Sequence, residues 1–105
     1  MAQYEKYLWE ILVPTVSNHG KPFRTKQHKI WDKFVRQVTG GLTIMSPNIK
    51  GEWISDDQIF TDRMIPVRIY CTHEEIREIA KYTKEFYEQE AIMYYCISTN
   101  IYIYK

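Results

Sequence analysis

Cysteine is scarce in this chain of 105 residues: Cys71 and Cys96 are the only two, and they stand in neither CxxC nor metal-ligand spacing. A disulfide framework or a zinc ribbon is not expected, and a cytoplasmic, reduced protein is. A long apolar run is also missing, so no membrane span is expected. The opening stretch "MAQYEKYLWEILVPTV" carries Glu5, Lys6 and Glu10 inside any would-be apolar leader, which argues against a signal peptide. Net charge is nearly absent, at +1, and a dedicated nucleic-acid binder is therefore not expected. His19, His28 and His73 lack zinc spacing, so no metal and no cofactor is expected.

What the chain does have is aromatic mass and a lopsided charge. Nine tyrosines and three tryptophans exceed what one small core holds. Tyr is at home on strands, but equally at interfaces and pocket walls. Residues 1–41 hold seven Lys/Arg against three acids, and residues 42–105 hold seven against ten. Such polarity suits steering of an anionic partner, or head-to-tail pairing with a second copy. The size is that of one domain over 1–105, with hydrophobic content of 45% to fill a core.

The apolar spacing predicts the elements. "YLWEILVPTV" alternates as a strand, with Tyr7, Trp9, Ile11 and Val13 on one face and Leu8, Glu10 and Leu12 on the other. Gly20 and Pro22 make "SNHGKP" a loop. Thr25 is the expected N-cap of a helix whose apolar positions are Ile30, Phe34, Val35 and Val38, with Trp31 beside them, and "TGG" ends it. "LTIM" is a strand, "SPNIKGEW" a turn with Trp53 folding back onto the core, and "SDDQIFTD" a polar hairpin connection. "MIPVRIYC" is the next strand. Thr72 and Glu75 form a capping box for a second helix with a stripe of Ile76, Ile79, Ala80, Thr83, Phe86 and Tyr87. "AIMYYCISTNIYIYK" alternates again as a strand.

That order, β-α-β-β-α-β, predicts an α+β, ferredoxin-like split β-α-β sandwich. Right-handed crossovers give a four-stranded antiparallel sheet in the order 4-1-3-2, with both helices on one face. Pro66 in a central strand is the weak point of this reading. "GGLTI", "GEW" and "FYEQEAIMYY" resemble a family of small uncharacterised bacterial proteins with a GGLT…GxW…FxQExV pattern. The resemblance spans roughly residues 10–97 and implies the same ferredoxin-like fold. It implies no activity and supplies no catalytic residues.

Function is sought in three places. His19, Lys21, Arg24, Lys26 and His28 gather near the start of the first helix, where backbone N–H groups favour an anion. The plain alternative is a solvated helix face carrying Lys29, Lys33 and Arg36. The open sheet face, with Leu8, Leu12, Arg68 and Tyr70, is expected to pair two copies as a homodimer. Glu10 and Arg68 break apolar strands on that same face and are expected to touch. Glu88, Gln89 and Glu90, taken as the end of the second helix, call for an offsetting link from the basic half. The expected function is a non-enzymatic binding or interaction module for a partner or a small anionic ligand. The alternative is a small α+β hydrolase or isomerase that uses a loop histidine between His19 and His28.

Overall fold

A computed structural model of the chain describes residues 5–41, 43–44, 49–55 and 58–105, and for 43–44, 49–55 and 58–63 the backbone alone. Strand β1 (Lys6–Pro14) leads to helix α1 (Thr25–Thr39), then to β2 (Thr43–Ile44), β3 (Ile49–Ser55) and a long β4 (Gln58–Thr72). Helix α2 (His73–Phe86) and β5 (Tyr94–Ser98) complete the order. The architecture is α+β: two helices and one antiparallel sheet, whose strands run β2-β4-β1-β5, with β3 also paired to β4. Among the described residues there are five strand segments where four were expected. The correction falls on "SPNIKGEW" and "SDDQIFTD". Residues 49–55 are not a turn but a strand, and it pairs with β4 from Ile49↔Met64 to Ser55↔Gln58. Residues 46–48 and the Trp53 side chain, expected in a turn and on the core, lie outside what is described.

Alternation along β1 dictates the core. Trp9, Ile11 and Val13 are buried with Val67, Ile69 and Cys71 of β4, which face the same side. Both helices cover this side. From α1 come Trp31 and Val35, while Ile30, expected in the stripe, is 45% exposed. A stripe centred one residue later puts the large indole inside. Trp31 Nε1 donates to Thr83 Oγ1 at 2.8 Å, and that hydroxyl donates to Ile79 O at 2.6 Å, so neither buried polar atom is orphaned. The α2 stripe is as expected, with Ile76, Ile79, Thr83 and Tyr87 buried and Ala80 and Phe86 packed against them.

The caps show what fixes each helix. Thr72 Oγ1 accepts from Glu75 N at 3.1 Å and Glu75 Oε1 accepts from Thr72 N at 2.9 Å, both halves of the expected box. At α1 the N-cap is Arg24 rather than Thr25. Arg has no acceptor, so only the return half forms: Gln27 Oε1 accepts from Arg24 N at 2.7 Å. Gly40 closes α1 in the left-handed conformation (φ 91°), its N–H donating to Arg36 O at 2.8 Å.

Pro66 is accommodated by a gap in the ladder. On the outer side of β4, β2 pairs with Val67 and Arg68, and β3 pairs from Met64 down to Gln58. No described residue pairs with positions 65–66 on that side, so the missing N–H of proline breaks no described bond there.

Candidate functional site

The loop between β1 and α1 organises itself before any ligand is considered. Ser17 Oγ accepts from His19 N at 3.2 Å and from Lys21 N at 3.1 Å. Gly20 takes φ 79°, which closes the turn at no steric cost. Phe23 N donates to Thr15 O at 2.9 Å, sealing the loop's base. His19, Lys21, Arg24 and Lys26 are all left exposed around the start of α1. No acidic residue lies in the first turn of α1. Among the described residues, none of these cations forms an ion pair. The positive end of the helix dipole is thus flanked by cations without internal compensation.

His28 does not join them. It lies one turn into α1 and faces inward, with Nδ1 2.7 Å from the Tyr87 hydroxyl. Phe23 packs edge-on to the Tyr87 ring at 4.8 Å. Burial lowers the His28 pKa, with Asp32 one turn on pulling the other way. Burial likewise raises Asp32, opposed by Arg36 and His28. Tyr87 is raised by burial first and by Asp32 second. Of the five residues proposed for the anion site, four share the loop and helix start and one serves the helix interface. His28 sits on the same helical face as Trp31 and Val35, and that spacing was the signal for an inward position.

The acidic turn is displaced from its expected place. Helix α2 ends at Phe86 and is capped by Tyr87, so Glu88, Gln89 and Glu90 lie beyond it. Glu88 adopts φ 51°, the only positive φ on a non-glycine among the described residues. The link from the basic half is a hydrogen bond and not a salt bridge: Asn18 Nδ2 donates to Glu88 O at 2.9 Å. It ties the basic loop directly to the turn after α2. Among the described residues, neither Glu88 nor Glu90 forms an ion pair.

On the sheet face away from the helices stands the expected pair. Arg68 Nε donates to Glu10 Oε1 at 3.0 Å, and the Tyr95 hydroxyl donates to Glu10 Oε2. Burial pushes the Glu10 carboxyl up, but the Tyr95 and Arg68 hydrogen bonds and the Arg68 charge hold it below its usual range. The same bond to Glu10 raises the Tyr95 phenol to about 12. This face is less open than expected. Leu12 is 6% exposed and Glu10 8%, so Leu12 has little surface left for a partner. Leu8 and Arg68 are half-buried, and Tyr70 is the exposed member, with Lys6 Nζ 5.8 Å from its ring centre. His73, exposed at the start of α2, stacks on Trp9 at 5.1 Å.

Among the described residues, no three His, Cys, Asp or Glu side chains gather so as to hold a metal ion, and no helix is long and apolar enough to cross a membrane. Neither a family model nor a curated protein matches the chain. Solved structures do share the fold. CutA1 of the psychrotrophic bacterium Shewanella sp. SIB1 superposes with a TM-score of 0.68 at 11% identity, over 98% of this chain and 88% of that one. The divalent cation tolerance protein CutA1 of Thermus thermophilus gives 0.63 at 9% identity, over 89% and 82%. A phage SAM lyase in complex with S-methyl-5′-thioadenosine gives 0.64 at 10% identity, over 90% and 81%. The likeness is one of fold. It agrees with the ferredoxin-like architecture, while the GGLT…GxW…FxQExV pattern itself is untested by it.

Proposed function

We propose that this chain is a small cytoplasmic binding module that takes a small anion at the start of α1, through Lys21, Arg24 and Lys26 with His19 beside them. In this reading the fold is the ferredoxin-like split β-α-β sandwich, with β2 and β3 together standing for its second strand. The observation that carries the proposal is electrostatic. Three exposed cations surround a helix N-terminus with no acid in its first turn, and none of them is paired among the described residues. Repulsion at that end is relieved by an anion, which backbone N–H groups and side chains can both bind. Identical copies are taken to meet over the sheet face around Leu8, Arg68 and Tyr70.

Isothermal titration at low salt tests the anion site. Inorganic pyrophosphate is expected to bind saturably. The triple variant Lys21→Ala/Arg24→Ala/Lys26→Ala is expected to lose at least about tenfold in affinity, as removal of charge-assisted contacts should do, with a melting temperature no lower than that of the wild type, since the repulsion at the helix start is relieved. Binding that the triple variant retains in full ends the proposal.

A second reading, a small α+β enzyme, is favoured by one observation: the same fold in the phage SAM lyase. Here a histidine acts as general base, either His19 of the β1–α1 loop or His28 in the first turns of α1, whose pKa burial lowers. The discriminating assay is incubation with SAM and mass-spectrometric detection of S-methyl-5′-thioadenosine. Product that disappears in His28→Gln or His19→Ala supports the enzyme; binding without turnover supports the module.

A further inference from the structure

Helices α1 and α2 meet along a row of aromatic rings. Phe34 of α1 stacks on Tyr82 of α2 with ring centres 3.8 Å apart and planes at 11°, and Phe86 stacks on Tyr82 at 5.4 Å and 13°. All three rings are half-buried and packed against the core. Deeper between the helices, Trp31 bonds to Thr83 and both are fully buried. The three rings therefore form the floor of a groove on the side of the helix layer away from the sheet.

Spacing places the rims of that groove. On α1, Lys26, Ile30, Lys33 and Gln37 follow at intervals of three and four residues, beside Phe34. Ile30 is 45% exposed there. On α2, Glu74, Glu78, Tyr82 and Glu85 repeat in the same way. The cations of α2, Arg77, Lys81 and Lys84, make a separate stripe turned away from Tyr82. One rim is thus cationic and the other acidic. Lys33, Glu78 and Glu85 are exposed, and among the described residues none of them forms an ion pair.

Such a surface is complementary to itself. The helices run antiparallel, since His28 meets Tyr87 and Phe34 meets Tyr82. A two-fold axis along the groove lays α1 of each copy on α2 of the other, with the ring rows face to face. Lys33 stands at the level of Tyr82 and Thr83, because Phe34 meets the first and Trp31 the second. On the second copy that level lies about 4 Å along the axis from Glu85 and about 7 Å from Glu78, at about 1.5 Å per residue.

We infer that this groove is a contact between two copies of the chain, paired two-fold through their helix layers. Burial of Ile30 and the aromatic row drives the contact. The charges of Lys33 against Glu78 and Glu85 fix which helix lies on which. The matched rims favour a second copy over an amphipathic helix of another protein, since this chain supplies both halves of every pair. The inference goes beyond the anion site and does not depend on it, and it leaves the sheet face of each copy free.

The test uses the full chain and leaves Lys26, a residue of the anion site, untouched. Sedimentation equilibrium at micromolar concentration and low salt compares the wild type, Lys33→Glu, Glu78→Lys/Glu85→Lys, and an equimolar mixture of the two variants. Each variant alone sets like charges against each other across the axis. Each is expected to sediment at half the wild-type mass, with an unchanged far-ultraviolet circular dichroism spectrum. In the mixture, one chain of each kind restores opposite charges at both contacts, and the wild-type mass is expected to return. The readout is a ratio, so a contact over the sheet face enters every sample equally. Recovery in the mixture also shows that both variants fold. A wild type no heavier than the variants leaves the groove to another protein's helix and overturns the inference. A mixture that stays at the mass of the variants overturns it as well.

Discussion

Arg68→Met should cost stability out of proportion to the surface it removes, because it strands Glu10. The Glu10 side chain is 10% exposed and that of Arg68 40%. Breaking a fully buried pair costs about 3–5 kcal/mol, and an exposed one contributes about 0.2–1 kcal/mol. One buried and one half-exposed partner place the coupling between these limits, at about 1–2 kcal/mol. Tyr95 keeps its hydrogen bond to the carboxylate and holds the cost below the buried limit. The assay is urea unfolding of wild type, Glu10→Gln, Arg68→Met and the double variant. The double variant should be more stable than the sum of the single losses predicts, since each single change already forfeits the pair. The acid limb gives an independent check. The folded pKa of Glu10 is lowered, so the folded state binds fewer protons than the unfolded state between the two values. The stability from this group is fully present above the unfolded carboxylate pKa and is lost as pH falls through the folded one. Arg68→Met should flatten that acid limb. Fully additive losses in the cycle, with an unchanged acid limb, would refute the reasoning.

Other outcomes follow from the same contacts. Trp31→Phe keeps the ring but removes the Nε1–H donor to Thr83, and should lower unfolding free energy by about 1–3 kcal/mol through the lost bond and the gap, read by denaturant melts. His28, with its pKa lowered by burial, should titrate by NMR below the usual histidine value. Because the unfolded state takes up its proton first, its contribution is complete above the unfolded pKa and is lost as pH falls through the folded one; His28→Gln should weaken that dependence in melting curves from pH 7.5 to 5.5. Cys71 is buried, its thiol pushed up to about 12, and Cys96 is exposed, so a thiol reagent should find one fast and one slow group in the native protein. Non-reducing mass mapping should find no Cys71–Cys96 bond, since β1 lies between their strands.

The legible parts of this fold are those where one local rule decides. Period-two alternation in "YLWEILV" and the Thr72–Glu75 box each needed only a few neighbouring residues, and both stand. The Glu10–Arg68 contact was legible because two charges interrupt two apolar strands at the same register. The misses are cases of competition. The helix stripe slid from Ile30 to Trp31 because burying an indole with a hydroxyl partner outweighs an aliphatic position. Thr25 has good capping chemistry, but Gln27 bonding back to Arg24 starts the helix one residue earlier. "IKGEWIS" carries Gly51 and charges and reads as a turn; its pairing comes from the length of β4, which local sequence does not encode. His28 was grouped with the loop cations by proximity in sequence, although its helical face had already turned it inward.

The most direct measurement is a crystal structure of protein purified natively, without added ligand, read for density around the start of α1. The account predicts an anionic molecule held by Lys21, Arg24 and Lys26, with His28 still bonded to Tyr87 and clear of it. Density for a bound small molecule elsewhere, with these three cations paired to carboxylates of the protein itself, would contradict it.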